Sequence, residues 1–411
     1  MIKKDHLLRL LCSLLLIAGA AFLQNAEAAP PSALGGFSRQ IHQAVDMTKT
    51  EAGEKELFRQ NFSGLVMEKS LEEAYPGLSG VITRMNRAEW EQAKKLRSEL
   101  TEEAKEFNAR QSQYFYTFAY DYDVTMRRAD TFAVSFLQWR YIFTGGPHGN
   151  YDCHGVNLST LTGREIEFSD VFADTEALLD ILMERLKEKH PEDLYPDFGK
   201  TIRECAARNE LNWTLDPRGV TFYFNPYEVA PYACGLLTVS ILFDEQPELF
   251  HPAYRQTAPA YAEPFFPYNT LMTSLNDNKK LDTISIQAYQ EKLHIIINGK
   301  DNVLETSFHI LRPVLLHMED GRNYLYIEGT TGDNGQRQIF AFQVKGDSAH
   351  YIGTLPYTFR HVVAVSPQEV EFENFLTNPN GFFIDRNTRD ESGSSVTDTC
   401  AVKEDGLLSF G

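Results

Sequence analysis

The hydrophobic period of the chain changes abruptly after Gln111, and this change constrains the fold more than any other feature. From Asn86 to Gln111, apolar residues recur mostly at three- and four-residue steps, which predicts an amphipathic helix with Asn86 as its N-cap. From Tyr114 to Tyr122, aromatic residues alternate as they do in a strand, and Thr131–Phe143 predicts a second strand. The sequence therefore predicts a long helix followed by paired strands.

The same mixture of helices and strands continues to about residue 250. Asp174 or Thr175 is the predicted cap of a helix over Ala177–Lys189. Further strands are predicted at Arg164–Phe168, Val220–Phe224 and Leu236–Phe243. Short strands separated by turns predominate beyond residue 270. The sequence therefore predicts an α+β fold with mixed, largely antiparallel sheets and packed helices, followed by an all-β C-terminal domain.

The first 28 residues have the pattern of a secretory signal peptide. Lys3, Lys4 and Arg9 form a basic start, Leu10–Leu23 is an apolar core, and cleavage is expected after Ala28. The core is shorter than the roughly 20 apolar residues that span a bilayer, which favours cleavage over an uncleaved anchor. We therefore expect a periplasmic or secreted protein with no membrane span after signal cleavage.

Changes in composition divide the chain into six predicted parts. Residues 29–60 are polar and predict a leader, whereas residues 253–269 are rich in Pro and Ala and predict a linker. The full division is a signal peptide at 1–28, the leader at 29–60, α+β subdomains at 61–155 and 156–252, the linker at 253–269 and a β-rich domain at 270–411.

The charge balance bears on the class of partner. The chain carries 39 basic and 57 acidic residues and a formal net charge of −18. An acidic protein repels phosphate backbones, so nucleic acid is not an expected partner, whereas a cationic partner is attracted. The alternative is that the charge only keeps an exported protein soluble.

Four cysteines remain after cleavage, and they are Cys153, Cys205, Cys234 and Cys400. An even number in an exported chain predicts two disulfides, with three connectivities that the sequence cannot separate. The spacing matches no paired zinc motif.

Two segments carry the candidate ligand-binding residues, which are Gly145, Gly146, His148, Tyr151, Asp152, His154, Tyr227 and Glu228. Histidine and carboxylate side chains can bind zinc, but the H-x3-D-x-H spacing matches no strong metal motif. The double glycine favours a turn in which His148 bonds a nearby carbonyl. The sequence predicts no catalytic residue, no metal site and no cofactor.

Aromatic residues near these positions have two interpretations. Tyr227 and Tyr232 flank Glu228, and such a cluster can contact a sugar or a basic protein. The alternating aromatic residues of Thr131–Phe143 can likewise line a carbohydrate groove. The more common role of both sets is to pack a sheet against its neighbours.

Four motifs between residue 60 and about residue 250 carry a family resemblance. They are YPGLSG at Tyr75–Gly80, YIFTGGPHG at Tyr141–Gly149, NLSTLTGREIEFSDVF at Asn157–Phe172 and FYFNPYEVAPYACG at Phe222–Gly235. In these motifs the chain resembles the extracytoplasmic module shared by RsiV-type anti-sigma factors and PdaC-type peptidoglycan deacetylases. Pro147 and Cys234 depart from the family pattern.

The resemblance implies a PdaC-like subdomain at 61–155 and an RsiV-like subdomain at 156–252. RsiV-type proteins recognise lysozyme outside the cell through this module, whereas PdaC-type enzymes carry it ahead of a separate deacetylase domain. Neither a sigma-binding segment nor the deacetylase motifs are recognisable in this sequence.

These observations favour a binding protein over an enzyme. We expect an exported cell-envelope recognition module for a protein or glycan ligand, with lysozyme-like cationic proteins as the class that the resemblance suggests. The alternatives are a cell-wall hydrolase or metal-dependent enzyme that uses the His148–His154 region, and a purely structural envelope protein.

Overall fold

The computed structural model describes most of the chain beyond residue 30. The described ranges are 31–51, 53–110, 114–256, 258–267, 269–276, 281–331 and 336–355, with short strands at 362–364, 369–374, 390–394, 396–402 and 408–410. The predicted signal peptide lies outside the described residues. No helix in these ranges combines the length and the apolar character that a bilayer crossing requires.

The N-terminal part is a sheet covered on one face by a long helix. Its strands and helices are β1 (Phe37–Thr50), β2 (Gly53–Met67), α1 (Lys69–Ala74), α2 (Pro76–Arg110), β3 (Phe118–Ala129), β4 (Ala133–Phe143) and β5 (Asn150–Ser159). Neighbouring strands pair in the order β1-β2-β3-β4-β5, and only the β2–β3 pair is parallel among them. The connection through α2 is what allows that parallel pairing.

Helix α2 is amphipathic, as the period predicts, but the predicted N-terminus is wrong. The helix begins at Pro76, a residue suited to a first helical position, and Asn86 lies within it. The Asn86 side-chain amide donates to the Leu65 carbonyl of β2. The buried stripe that includes Ile82 and Ala93 packs on the sheet, so tertiary contact explains both the helix length and the role of Asn86.

Most of the polar leader predicted at 29–60 forms two strands in the structure. Residues 37–50 form β1, and Gly53–Met67 forms β2. Phe37 and Phe58 are fully buried in the same core as α2. The composition of the segment is polar because many of its side chains lie on the partly exposed face of a sheet.

A second unit of helices and a small sheet follows β5. Its elements are α3 (Phe168–Val171), α4 (Thr175–Lys189), α5 (Phe198–Ala207), β6 (Trp213–Leu215), β7 (Gly219–Phe224) and β8 (Leu237–Leu242). Asp174 caps α4 as predicted, because its carboxylate accepts from the Ala177 N–H at 3.0 Å. The strand predicted at Arg164–Phe168 is wrong, since only a bridge at Glu165 forms before the capping box of α3.

The C-terminal part is rich in strands, as predicted. The strands are β9 (Tyr261–Pro264), β10 (Leu271–Thr273), β11 (Asp282–Tyr289), β12 (Lys292–Ile297), β13 (Lys300–Glu305), β14 (Phe308–His317), β15 (Asn323–Thr331), β16 (Gln336–Lys345), β17 (Ser348–Leu355), β18 (Val362–Ala364), β19 (Glu369–Asn374), β20 (Asp390–Ser394), β21 (Val396–Val402) and β22 (Leu408–Phe410). The fold is therefore α+β with largely antiparallel sheets, which confirms the predicted class.

Apart from β20, the described C-terminal strands form three sheets, and two of these sheets share a core. The sheet β10-β11-β12-β13 and the sheet β17-β16-β15-β14-β9 bury one apolar cluster between them. The predicted linker contributes β9 to the second of these sheets. β20 instead pairs with β1, so the chain returns to the N-terminal sheet. The domain boundaries drawn from composition remain predictions.

A buried polar junction connects the N-terminal sheet with β6, β7 and β9. Arg127 makes a two-pronged ion pair with Asp216, with nitrogen–oxygen distances of 2.8 and 3.0 Å, and also donates to the Pro264 carbonyl. Nearby, the His317 ring lies 2.6 Å from the Glu263 carboxylate. We call Arg127, Asp216, Glu263 and His317 the polar junction. Its charged groups are buried and paired, as buried charges must be for the fold to tolerate them.

Candidate functional site

The turn between β4 and β5 contains the double glycine. Gly145 and Gly146 have φ angles of +83° and +104°, which residues other than glycine rarely adopt. A Cβ atom at Gly145 would lie 2.9 Å from the Phe107 ring. His148 donates from Nδ1 to the Gly149 carbonyl at 3.1 Å, as the turn interpretation predicts. These residues therefore shape the turn that carries an exposed imidazole.

Tyr232 links this turn to the segment after β7. Its ring stacks on His148 with centroids 4.0 Å apart and planes 19° apart, and its hydroxyl donates to the Gly149 carbonyl. Gly149 must be a glycine here because a Cβ would lie 2.4 Å from the Tyr141 ring. Tyr232 also contacts Tyr151, with ring centroids 5.8 Å apart. Two segments distant in sequence thus meet through one tyrosine.

The rings continue in both directions as a single band, which we call the aromatic strip. Its members in order are Tyr227, Tyr232, Tyr151, Trp139 and Phe266, and His148 stacks on Tyr232 at the side of this series. Trp139 stacks on Tyr151 at 5.0 Å, and Phe266 follows at 5.5 Å. Such ring separations are those of favourable aromatic pairs. The strip is half-buried at its centre and exposed at His148 and Tyr227.

Tyr227 stands out at the exposed end of the strip. It is 60% exposed, and its φ of +71° places a bulky residue in the left-handed region. The turn is closed by the Tyr227 N–H, which donates to the Ala230 carbonyl, and by Glu228, whose carboxylate accepts from the Asn225 N–H at 2.9 Å. Burial raises the pKa of Glu228, and that hydrogen bond offsets part of the rise. Glu228 therefore shapes the turn that presents Tyr227.

Two asparagines fix this turn against the edge of the large sheet. Among the described strands β5 is the last of its sheet, so one side of its backbone has no neighbouring strand in the described part of the chain. Asn225 accepts from the Cys153 N–H at 2.8 Å, and Asn212 accepts from the Gly155 N–H at 2.7 Å. Both amides also donate to the Cys153 carbonyl. Side chains thus satisfy backbone groups that an unpaired edge would leave open.

Asp152 and His154 lie on the opposite face of β5 from Tyr151, because side chains alternate along a strand. Asp152 is 3.3 Å from Arg140, which also donates to Glu89 of α2 at 2.6 Å. Desolvation of the ring and the charge of Arg140 lower the pKa of His154. The candidate residues of the sequence therefore divide between two faces. Among the described residues, no group of three or more His, Cys, Asp or Glu side chains is arranged to hold a metal.

The described cysteines are thiols in this structure. Cys153, Cys205 and Cys234 form no disulfide with one another, and the Cys400 side chain lies outside the described residues. Two disulfides would need one bond among the first three, so the predicted pairing is not seen here. Burial raises the pKa of the Cys153 thiol, which keeps it protonated and unreactive at neutral pH.

Several residues of the site were missing from the predicted set of ligand-binding residues, although Tyr232 was named in the aromatic cluster around Glu228. Tyr232 lies at the centre of the strip, and its position between Pro231 and Cys234 in the fourth motif is the signal that points to it. Asn212 and Asn225 carry no recognisable signal, since their partners are backbone groups of a distant strand.

Comparison with known proteins places one family domain in this region. Residues 169–244 match the family described as "Protein of unknown function (DUF3298)". The chain carries a DUF3298 domain. This domain contains α4, α5, β6, β7 and β8, and it supplies Tyr227 and Tyr232 to the aromatic strip. No curated protein matches the chain.

Solved structures of the same family resemble part of the chain. A DUF3298 family member from Bacteroides fragilis is 18% identical, covers 55% of this chain and 98% of its own, and gives a TM-score of 0.37. A DUF3298 family protein from Pseudomonas aeruginosa is 15% identical, covers 54% of this chain and 96% of its own, and also gives a TM-score of 0.37.

Proposed function

We propose that this chain is an exported recognition module of the cell envelope whose aromatic strip binds a cationic, lysozyme-like protein. Tyr227 carries the proposal, because it is 60% exposed in a left-handed backbone conformation at the end of the strip. Backbone strain of this kind costs about 1–3 kcal/mol and concentrates at functional sites. Tyrosine is also enriched among the residues that dominate interface energies.

Charge supports a cationic ligand. The chain has 57 acidic and 39 basic residues and a formal net charge of −18. Attraction between an acidic protein and a basic one raises the association rate and weakens as salt screens it.

The family resemblance supports the same ligand class. The third and fourth motifs, Asn157–Phe172 and Phe222–Gly235, overlap or lie within the DUF3298 domain. In RsiV-type proteins the corresponding module recognises lysozyme. The fourth motif carries Tyr227 and Tyr232, so the resemblance and the aromatic strip meet in one segment.

The alternative of a hydrolase at His148–His154 has less support. His148 stacks on Tyr232, whereas Asp152 lies beside Arg140. His154 is on the face of β5 opposite Tyr151. No single observation brings these three side chains to one reacting centre.

Calorimetric titration of the mature chain with a c-type lysozyme tests the proposal, at low and at moderate salt. We expect micromolar or tighter binding that weakens as salt rises. Tyr227→Ala is expected to weaken binding at least tenfold, because it removes the exposed ring and leaves the rest of the strip in place.

Tyr289→Ala is the matched control. Tyr289 is 47% exposed and stacks on His294, so it resembles Tyr227 in exposure and ring contact but lies in the C-terminal domain. This variant is expected to bind lysozyme as the unaltered chain does. If lysozyme formed no complex with the chain, the proposed ligand would be wrong. If both variants lost lysozyme affinity equally, the proposed site at Tyr227 would be wrong.

A further inference from the structure

A row of side chains crosses five strands of the N-terminal sheet beside the aromatic strip. The strand register places Gln43, Asn61, Asp121, Tyr141 and Tyr151 opposite one another on β1, β2, β3, β4 and β5. Residues paired in register point to the same face of a sheet. All five are half-buried, so they form a partly exposed row.

Hydrogen bonds hold the polar half of the row in place. The Gln43 side-chain amide donates to the side-chain oxygen of Asn61 at 3.2 Å, and the Asn61 side-chain amide donates to the Asp121 carboxylate at 2.5 Å. An amide offers two N–H donors and one carbonyl acceptor, so each amide keeps capacity for a further partner after these bonds. Side chains fixed in this way lose little conformational entropy when a ligand binds.

The aromatic half of the row merges with the aromatic strip. Tyr151 belongs to both, and Tyr141 packs so closely on Gly149 that a Cβ there would lie 2.4 Å from its ring. α2 covers the opposite face of the sheet. Gln60, which precedes Asn61 on β2, donates to the Ala93 carbonyl of that helix. The row therefore lies on the face away from α2.

This arrangement matches the chemistry of one ligand class. A sugar ring presents C–H groups that pack on aromatic faces and hydroxyl groups that bond amides and carboxylates. Five strands spaced at about 4.8 Å give the row a length of roughly 19 Å, enough for an extended chain of several sugars. Asp121 and the net charge of −18 disfavour an anionic polymer.

We infer that the row from Gln43 to Tyr151 is a binding site for a neutral, unbranched glycan. This site shares Tyr151 with the aromatic strip, but it does not depend on the proposed protein contact at Tyr227. Rings at one end position the sugar faces, and the amides and the carboxylate at the other end bond the hydroxyl groups.

Calorimetric titration of the mature chain with N-acetylchitohexaose, and with cellohexaose as a second neutral probe, tests this inference. At least one of the two is expected to bind. Gln43→Ala and Asn61→Ala are each expected to weaken that binding at least tenfold, with circular dichroism to confirm the fold. Gln43 bonds only one other member of the row, so its variant keeps the test valid if Asn61→Ala fails to fold.

Tyr227→Ala separates this site from the proposed lysozyme contact. It is expected to bind the glycan normally while it loses lysozyme binding, and Gln43→Ala is expected to show the reverse pattern. Failure of both probes to bind would overturn the glycan site, as would unchanged binding in both row variants. If the row variants lost lysozyme binding but kept glycan binding, the row would belong to the protein contact, and this result would also overturn the glycan site.

Discussion

The aromatic strip and the polar junction both hold distant segments together, but they differ in exposure and in strain. At the junction, Arg127 and Asp216 are buried and their polar groups are paired. In the strip, His148 and Tyr227 are exposed, and Tyr227 has a strained backbone. Buried and satisfied groups are what stability alone requires, whereas exposed and strained groups call for another explanation. The contrast separates structural contacts from candidate binding contacts.

The largest effect is expected from Asp216→Ala at the polar junction. The variant leaves the buried guanidinium of Arg127 without its carboxylate, which is expected to cost about 3–5 kcal/mol in the free energy of unfolding. Denaturant unfolding measures this loss. The control is Glu102→Ala, which removes an exposed ion pair on α2 and is expected to change stability by less than about 0.5 kcal/mol. Similar losses in both variants would contradict the structural role of the junction.

A second effect at the junction depends on pH. Burial acts to raise the pKa of Glu263, but the charge and hydrogen bond of His317 and the hydroxyl of Thr273 hold that pKa below its usual range. A lowered folded-state pKa contributes stability above the unfolded pKa of about 4.3, and this contribution is lost as pH falls through the folded pKa. We expect stability to fall below about pH 4, and Glu263→Gln to flatten that fall. An unchanged acid slope in the variant would contradict the pairing.

Gly149→Ala tests the packing beneath the aromatic strip. The new Cβ would meet the Tyr141 ring at 2.4 Å, and overpacking of this kind costs about 1–3 kcal/mol in stability. Gly80→Ala in α2 is the control, because the nearest atom to its Cβ is 3.4 Å away and alanine favours a helix by about 1 kcal/mol. Thermal unfolding should therefore shift in opposite directions for the two variants.

The smallest effect on the free energy of unfolding is expected at Tyr227, where one substitution should stabilise the fold, in contrast to Asp216→Ala. Asparagine tolerates a φ near +71°, so Tyr227→Asn is expected to raise the free energy of unfolding by about 1 kcal/mol while it weakens ligand binding. Tyr227→Ala keeps most of the backbone strain and should lose binding without that gain. A destabilised Tyr227→Asn variant would show that the ring stabilises the fold, and the contrast with the junction would then disappear.

The sequence predicts local structure well where one face of an element is apolar. The strand predicted at Val220–Phe224 lies within one residue of β7, and Asp174 caps α4 as its pattern predicts. β1 was missed because its side chains alternate only weakly, and its burial depends on β2 and α2. The start of α2 was misplaced for the same reason, since Asn86 serves a contact with β2.

The candidate site was predicted only in part. The glycines, His148, Tyr151 and Tyr227 were found because turn residues and aromatic residues cluster in the sequence. That Tyr232 meets His148 depends on how the DUF3298 domain packs on the edge of β5. Asp152 and His154 separate from Tyr151 because of strand alternation, which the motif alone does not show.

Hydrogen exchange of the backbone amides, with and without a c-type lysozyme, tests the central claim most directly. The account predicts slower exchange in two segments, residues 144–151 and residues 225–235, and no change around Arg127 and Asp216. Protection that centres on the polar junction, or that leaves both segments of the aromatic strip unaffected, would contradict it.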